Sequence, residues 1–290
     1  MKVLATRRYP GDAWSELEDV EVGSLTAARD DVEVLVVANE PVPLGRFPAL
    51  RLVANFGVGY DRIDVAACAA RGVAVTNTPG VLDAAVADLT FALILAARRR
   101  IVDGDTYVRR GDWTGQWPDQ FLAEEVAGST LGIVGLGRIG RAVARRAGGF
   151  DLHVLSVRSS DGDAALDHLL QISDIVTLHL PSTPTTRGLI DARRLALLRD
   201  GACFVNTARG DIVDEDALVA ELVSGRIRAG LDVFAHEPLV PEPLLSLSNV
   251  VVTPHLGSAT VETRAAMTRL VVDNILALER GEPLVSPVAV

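Results

Sequence analysis

The sequence predicts an α/β protein built from two Rossmann-like, doubly wound parallel-sheet domains with an interdomain cleft. Three observations carry that prediction. Apolar runs of strand length alternate with helical patterns along most of the 290 residues, a length that holds one large domain or two ordinary ones. The run Val32–Ala38 is apolar nearly throughout, as a strand covered on both faces must be. Residues Thr130–Arg146 read as a buried strand, a glycine turn and a helix, with Gly135, Gly137 and Gly140 in G-x-G-x-x-G spacing.

In chain order, strands are expected at Lys2–Thr6, Val32–Ala38, Leu50–Asn55 and Val73–Thr76. Turn signals at Pro10-Gly11, Pro41-Val42-Pro43 and Thr78-Pro79-Gly80 separate them. Asp83–Arg100 reads as a long apolar helix, with Asp83 as N-cap and Arg98-Arg99-Arg100 as a basic last turn, linking the two domains. Ile101–Arg110 continues as helix. Gly111-Asp112-Trp113 and Trp117-Pro118-Asp119 then break it into a long loop. After the glycine motif come strands His153–Val157 and Asp174–Leu180, a helix at Asp191–Leu198, and strands Ala202–Asn206, Ala229–Val233 and Val250–Thr253. A last helix, Ser258–Leu278, returns to the first domain. The expected division is therefore residues 1–85 plus 261–290 for a substrate domain and 86–260 for a dinucleotide-binding domain.

Composition narrows the partners. A net charge of −10 argues against a nucleic-acid surface or an anionic membrane. No charge-free apolar run of about 18 residues suggests a membrane span, and the N-terminus reads as a first strand rather than a signal peptide. The two cysteines, Cys68 and Cys203, show no metal-ligand spacing and fit a reducing, cytoplasmic compartment. No metal site is expected.

In doubly wound sheets ligands lie outside the carboxyl ends of the strands. In the glycine motif the first glycine allows the tight turn, the second lets a pyrophosphate approach, and the third lets helix and strand pack closely. The helix start supplies N–H groups and a positive dipole end, so Gly135, Leu136, Gly137, Arg138, Ile139 and Gly140 form the candidate pyrophosphate site. Further along the same edge, three strands run into Thr207-Ala208-Arg209-Gly210, Phe234-Ala235-His236-Glu237-Pro238 and Pro254-His255-Leu256-Gly257-Ser258. One Arg, one Glu and one His beside a dinucleotide suggest hydride transfer to a carbonyl. His255 can protonate the developing alkoxide, Glu237 can favour the protonated imidazole, and Arg209 can fork onto a substrate carboxylate. The product is then a 2-hydroxy acid and the substrate a 2-oxo acid. Each residue alone has an ordinary structural explanation; their shared placement at strand ends favours the chemical one. His179 reads as a core residue of its strand.

The chain resembles the D-isomer-specific 2-hydroxyacid dehydrogenase family over nearly its full length. The matching stretches are Ala54-Asn55-Phe56-Gly57-Val58-Gly59-Tyr60-Asp61, Asn77-Thr78-Pro79-Gly80-Val81-Leu82, the glycine motif, Leu178-His179-Leu180-Pro181, Asn206-Thr207-Ala208-Arg209-Gly210, Gly230-Leu231-Asp232-Val233-Phe234 and Pro254-His255-Leu256-Gly257-Ser258. The resemblance implies that Arg209, Glu237 and His255 are the catalytic set. It implies that Val58 and Gly59 bind the substrate carboxylate through backbone N–H groups, with Arg209, His255 and Ser258 also at the substrate. Leu180, Pro181, Thr186, Thr207, Ala208, Arg209, Asp232, His255 and Gly257 would line the cofactor, Asp232 near the nicotinamide carboxamide. It further implies a homodimer joined through the cofactor domain. Within the family, the stretch Gly257–Arg264 and the loop around Trp113 look most like glyoxylate/hydroxypyruvate reductases, in which Trp117 or Phe121 would close the neighbouring subunit's pocket.

The strand His153–Val157 ends in Arg158-Ser159-Ser160, at the place where NAD enzymes set an acid on the ribose 2′-OH. A guanidinium and two hydroxyls suit a 2′-phosphate, so NADP(H) is expected over NAD(H). The alternative is that Asp161 or Asp163 reaches the ribose and NAD(H) is used. Alternatives for the activity are a same-family dehydrogenase for a larger 2-oxo acid, D-lactate, 3-phosphoglycerate or phosphite, and a dinucleotide-sensing binding protein.

Overall fold

The computed structural model describes residues 1–115 and 119–289. It divides into two compact units: residues 1–85 together with the chain from Ser258 onward, and residues 86–257.

The first unit is built on a five-stranded, all-parallel sheet: β1 (Val3–Ala5), β2 (Val20–Val22), β3 (Val34–Val37), β4 (Leu52–Asn55) and, after helix α1 (Val65–Ala70), β5 (Ala74–Thr76). The order is β2-β1-β3-β4-β5, so the winding reverses between β1 and β3. β3 and β4 are buried at every position, as strands covered on both faces require. Asp64 caps α1 by accepting from the Ala67 N–H at 2.9 Å. β2 is absent from the sequence expectation. Val20-Glu21-Val22 is short, half-exposed and polar at its centre, and only its register on β1 makes it a strand.

The second unit starts on helix α2 (Asp83–Arg98). Asp83 is the first helical residue rather than the N-cap, and the helix stops short of the expected Arg100, which takes a left-handed φ of 51°. Arg98 is not a solvent-facing terminal charge: it is buried and donates to the carbonyls of Glu125 and Asp174 and to the Ser129 hydroxyl. There follow α3 (Ile101–Arg109), β6 (Thr130–Val134), α4 (Arg138–Ala147), β7 (His153–Val157), α5 (Asp163–Ile172), β8 (Ile175–Leu178), α6 (Ala192–Leu195), β9 (Cys203–Asn206), α7 (Glu215–Val223), β10 (Arg228–Leu231) and β11 (Val250–Val252). The sheet order is β11-β10-β9-β8-β6-β7, all parallel, with the winding reversed between β6 and β8.

Side chains alternate between the two faces of this sheet. Leu131 and Ile133 of β6, with Cys203 and Val205 of β9, pack beside Phe91 and Ile94 of α2 and Val143 of α4. Val134, Val176, Leu178 and Phe204 enter the opposite core with Leu166, Leu169 and Leu170 of α5 and Leu218 and Leu222 of α7. α5 and α7 are not among the elements expected from the sequence, although each carries a helical i, i+3 or i+4 leucine spacing. The helix expected over Asp191–Leu198 is only the single turn of α6.

The chain returns to the first unit as α8 (Val261–Arg280), capped by Thr260 and ended by Gly281 at a φ of 68°. Among the described residues no helix is long and apolar enough to cross a membrane.

Candidate active site

The carboxyl edge of the six-stranded sheet is shaped by glycine. Gly135 has a φ of 99°, and a Cβ there would stand 2.4 Å from the His179 carbonyl oxygen. At Gly140 a Cβ would stand 2.1 Å from the Gly135 carbonyl oxygen, so α4 lies directly against the turn. Gly137 differs. It is the N-cap of α4, without a side-chain cap, and a Cβ there would meet nothing within 4 Å. Two glycines thus close the turn against protein, and the third opens it at a helix start. That combination fits a pyrophosphate, which needs backbone N–H groups and a close approach. Leu136 and Ile139 are half-buried and Arg138 is exposed beside this opening.

Arg209, Glu237 and His255 all belong to this edge. The Glu237 Oε2 lies 2.9 Å from the His255 Nδ1, and its Oε1 accepts from the Phe234 N–H at 3.2 Å. Burial raises the Glu237 carboxyl most, but the His255 hydrogen bond and charge, the Phe234 N–H and the Arg209 charge outweigh it and hold the group below its usual value. Glu237 is therefore ionised at neutral pH and accepts only, so Nδ1 carries a proton and Nε2 is the atom left for chemistry. A Cβ at Gly210 would fall 2.0 Å from the Phe234 carbonyl carbon. Glycine after Arg209 thus lets the loop after β9 touch the loop after β10, which carries Glu237. The Arg209 guanidinium donates to the Ala208 carbonyl, and its own carbonyl accepts from Asn206.

His255 sits at a φ of 54°, a left-handed conformation unusual for a non-glycine residue. Its N–H donates to the Asp232 carbonyl at 3.0 Å. The Asp232 carboxylate, fully buried, accepts from the Thr253 hydroxyl at 2.6 Å, the Leu256 N–H at 2.7 Å and the Gly257 N–H at 2.9 Å. Burial pushes this carboxyl up against those bonds. Asp232 thus braces the turn that carries His255, a role additional to the cofactor contact expected of it. Thr90 was not anticipated. Its hydroxyl donates to the Val86 carbonyl at 2.8 Å and lies 3.2 Å from the Thr207 hydroxyl. With its one proton so used, Thr90 can only accept from Thr207, which leaves Thr207 with acceptor lone pairs toward the edge. A threonine inside an apolar helix was the available signal.

At the far end of the sheet, Arg158, Ser159 and Ser160 are exposed just past β7. Asp161 closes their turn: its carboxylate accepts from the Arg158 N–H at 2.8 Å and the Ser160 hydroxyl at 3.1 Å. Asp163 pairs with Arg194 at 2.6 Å. Leu180 and Pro181 follow β8 on the same edge. The Thr186 hydroxyl instead knits its own loop, donating to the Pro181 carbonyl and accepting from the Thr183 N–H. Gly257 stands by Val86 and Asp232.

Val58, Gly59 and Ser258 belong to the first unit. Asn55 Nδ2 donates to the carbonyls of Gly57 at 3.0 Å and Gly59 at 2.8 Å, and Asn77 Nδ2 donates to that of Val58 at 2.8 Å. A trans peptide points its C=O and following N–H in opposite directions. Tying down the Gly57 and Val58 carbonyls therefore turns the N–H groups of Val58 and Gly59 the other way. Asn55 and Asn77 are the site residues least visible beforehand. Ser258 is half-buried, and its carbonyl accepts from Arg264 and Thr260. Phe121 packs edge-on to Tyr107 at 5.1 Å beneath Arg100, within its own unit, and Trp117 lies outside the described residues.

The chain is similar to known proteins along most of its length. The family description "D-isomer specific 2-hydroxyacid dehydrogenase, NAD binding domain" matches residues 91–257. A curated glyoxylate reductase of Pyrococcus furiosus is 45% identical over 96% of this chain and 89% of its own length. A solved Thermus thermophilus structure superposes with a TM-score of 0.92 at 40% identity, covering all of both chains. A Sinorhizobium meliloti NADPH-dependent glyoxylate/hydroxypyruvate reductase, solved with NADP and malonate, superposes with a TM-score of 0.89 at 36% identity, covering 99% of this chain and 96% of its own.

Proposed function

Because the chain belongs to the D-isomer-specific 2-hydroxyacid dehydrogenase family, and is therefore an NAD(P)-dependent oxidoreductase, we propose that it reduces glyoxylate and hydroxypyruvate to the corresponding 2-hydroxy acids, the D isomer where the product is chiral. The observation that carries this reading is the Glu237–His255 pair at 2.9 Å beside Arg209 on the edge that holds the glycine cradle. The dinucleotide, when bound, supplies the hydride. Gly135 to Gly140 and the start of α4 hold its pyrophosphate, while Thr207, Ala208, Asp232 and Gly257 line its course along the strand ends. Arg209 forks onto the substrate carboxylate. His255 gives its Nε2 proton to the carbonyl oxygen, and Glu237 holds the imidazole in the orientation that aims Nε2 at it. The test is cofactor oxidation followed by absorbance, with glyoxylate, hydroxypyruvate, pyruvate and phenylpyruvate. A bulky 2-oxo acid preferred over the two small ones overturns the substrate, and no turnover overturns the activity.

NADP(H) is the preferred cofactor in this reading. Two features support it: the exposed Arg158-Ser159-Ser160 turn, and the engagement of both nearby acids, Asp161 in that turn and Asp163 with Arg194. Arg158→Asp should lower kcat/KM for NADPH roughly 10-fold or more, the worth of a lost charge-assisted bond, and leave that for NADH nearly unchanged. Unaltered selectivity sinks the assignment. The same reading makes the enzyme a cytoplasmic homodimer joined through the second unit. Its support is the pair of buried free cysteines and the exposed apolar side chains of Ile101, Val102, Val108, Trp113 and Leu122. Light scattering that returns a monomer mass refutes the dimer.

A further inference from the structure

The first unit carries a cationic cluster that the reaction described above does not use. Resting on that reading, we propose that Arg7 and Arg264 bind the distal anionic group of a dianionic 2-oxo acid, so that the accepted substrates extend to 2-oxo acids bearing a second carboxylate.

The cluster stands where a parallel sheet binds ligands. β1 ends at Ala5 and β4 at Asn55, so Arg7 and Phe56 both lie just past carboxyl ends, and Arg7 follows the strand at which the winding reverses. The Arg7 guanidinium lies 5.2 Å from the Tyr9 ring centroid, and that of Arg264 lies 5.7 Å from the Phe56 centroid. The two rings are 4.4 Å apart. An aromatic pair therefore spaces two cations over one edge; Arg7 also hydrogen-bonds the Tyr9 hydroxyl, which leaves part of each guanidinium's donor set for an anion.

Arg29, Arg51 and Arg269 of this unit pair with carboxylates, Arg29 with Glu21 and Asp31, Arg51 with Glu33, Arg269 with Glu16 and Asp273; Arg8, Arg46, Arg62, Arg71 and Arg280 have no ion pair among the described residues, and what sets Arg7 and Arg264 apart is that each lies over an aromatic ring at the carboxyl edge of the sheet. Among the described residues Arg7 and Arg264 have no carboxylate partner. Glu40, the acid after β3, accepts from the Thr6 hydroxyl and the Ala38 N–H instead. Arg264 donates from Nε to the Ser258 carbonyl at 3.1 Å, which orients the fork without neutralising it. Three effects oppose its charge. It is half-buried; it stands in the first turn of α8, at the positive end of the helix dipole; and Arg7 repels it. Burial first, then the Arg7 charge, pull the guanidinium below its ordinary value. The attraction of a bound anion offsets all three.

The chemistry of the ligand follows from the rest of the edge. The loop Val58-Gly59, on the same edge after β4, already offers N–H groups to one carboxylate. A second cationic site in the same unit is superfluous for a monoanion such as glyoxylate and suits an acid with charge at both ends.

The test is a ratio of two substrates of equal chain length, one with and one without the second carboxylate. Steady-state kcat/KM is measured with NADPH for oxaloacetate and for 2-oxobutyrate, in the intact protein and in Arg7→Gln and Arg264→Gln. The ratio of oxaloacetate to 2-oxobutyrate is expected to fall about 10-fold or more in each variant, through KM. Arg7 is exposed, so its variant reports even if Arg264→Gln disturbs folding. An unchanged ratio overturns the proposal, as does equal loss on both substrates or failure of the intact protein to reduce oxaloacetate. Glyoxylate runs alongside: if the intact protein does not reduce it, the parent reading fails instead.

Discussion

Replacing Gly137 and Gly140 separately by alanine should have opposite consequences, and the contrast isolates the dinucleotide cradle from the fold. A Cβ at Gly140 would meet the Gly135 carbonyl oxygen at 2.1 Å and its carbon at 3.1 Å, backbone atoms that cannot swing aside as a side chain would. Relief requires α4 to withdraw from the end of β6 by an ångström or so. Overpacking of this kind costs about 1–3 kcal/mol, and each kcal/mol lowers Tm by roughly 2–4 °C in units of this size. Gly140→Ala should therefore lower the Tm of the cofactor-free protein by about 2–12 °C. Gly137 has no atom within 4 Å of an added Cβ and sits at a φ of −74°, which alanine adopts freely. Losing a glycine N-cap costs well under about 1 kcal/mol, so Tm should move by no more than about 3 °C. The added methyl instead occupies the approach of the pyrophosphate. An overlap worth about 1–3 kcal/mol weakens binding roughly 5- to 150-fold. Thermal unfolding without cofactor and fluorescence titration with NADPH read the two effects independently. Wild-type NADPH affinity in Gly137→Ala would refute the reasoning, since no phosphate could then pass over that turn. A Tm loss in Gly137→Ala equal to that of Gly140→Ala would also refute it.

The remaining predictions concern the charged groups. Glu237→Gln keeps the shape but removes the anion that fixes a proton on the His255 Nδ1; kcat/KM for reduction should drop about 10- to 100-fold, and an unchanged kcat/KM would show that the carboxylate plays no part in the reaction. Asp232→Asn leaves at least one of the Thr253, Leu256 and Gly257 donors without an acceptor, so kcat should fall about 10-fold as the His255 turn loosens, with folding cost of about 1–3 kcal/mol; unchanged kcat would remove the brace from the argument. Burial pushes His179 down to about 3 from the usual 6.5. As pH falls below 6.5 the unfolded chain binds this proton first, so the stability from keeping the ring neutral is complete above that pH and is lost toward pH 3, by up to about 1.4 kcal/mol per pH unit. His179→Gln should flatten that part of the denaturant midpoint against pH, and a slope identical to the parent's would assign the acid sensitivity to other groups.

Much of this protein is legible in its chain because the signals are local. Strand burial shows in the unbroken apolar runs of β3 and β4. The turn before α4 shows in the spacing of Gly135, Gly137 and Gly140, and Arg209, Glu237 and His255 are found by looking one step past three strands. Elements that lack such local signals were missed. β2 exists by pairing with β1, and α6 is one turn where a helix of eight residues was expected.

What only tertiary structure decided is how groups distant in the chain use one another. Whether Asp232 faces a cofactor or braces a turn depends on donors 21 to 25 residues away. Asn55 and Asn77 are ordinary amides in sequence; their roles follow from reaching the carbonyls of 57, 58 and 59, which turns the intervening N–H groups outward. The bare charges of Arg7 and Arg264 cannot be recognised from a chain in which 28 basic residues face 38 acidic ones. Periodicity and propensity act over one or two turns of chain and are written in it directly. A hydrogen bond or an uncompensated charge is a property of distance in space, which the fold sets only after every strand has taken its place.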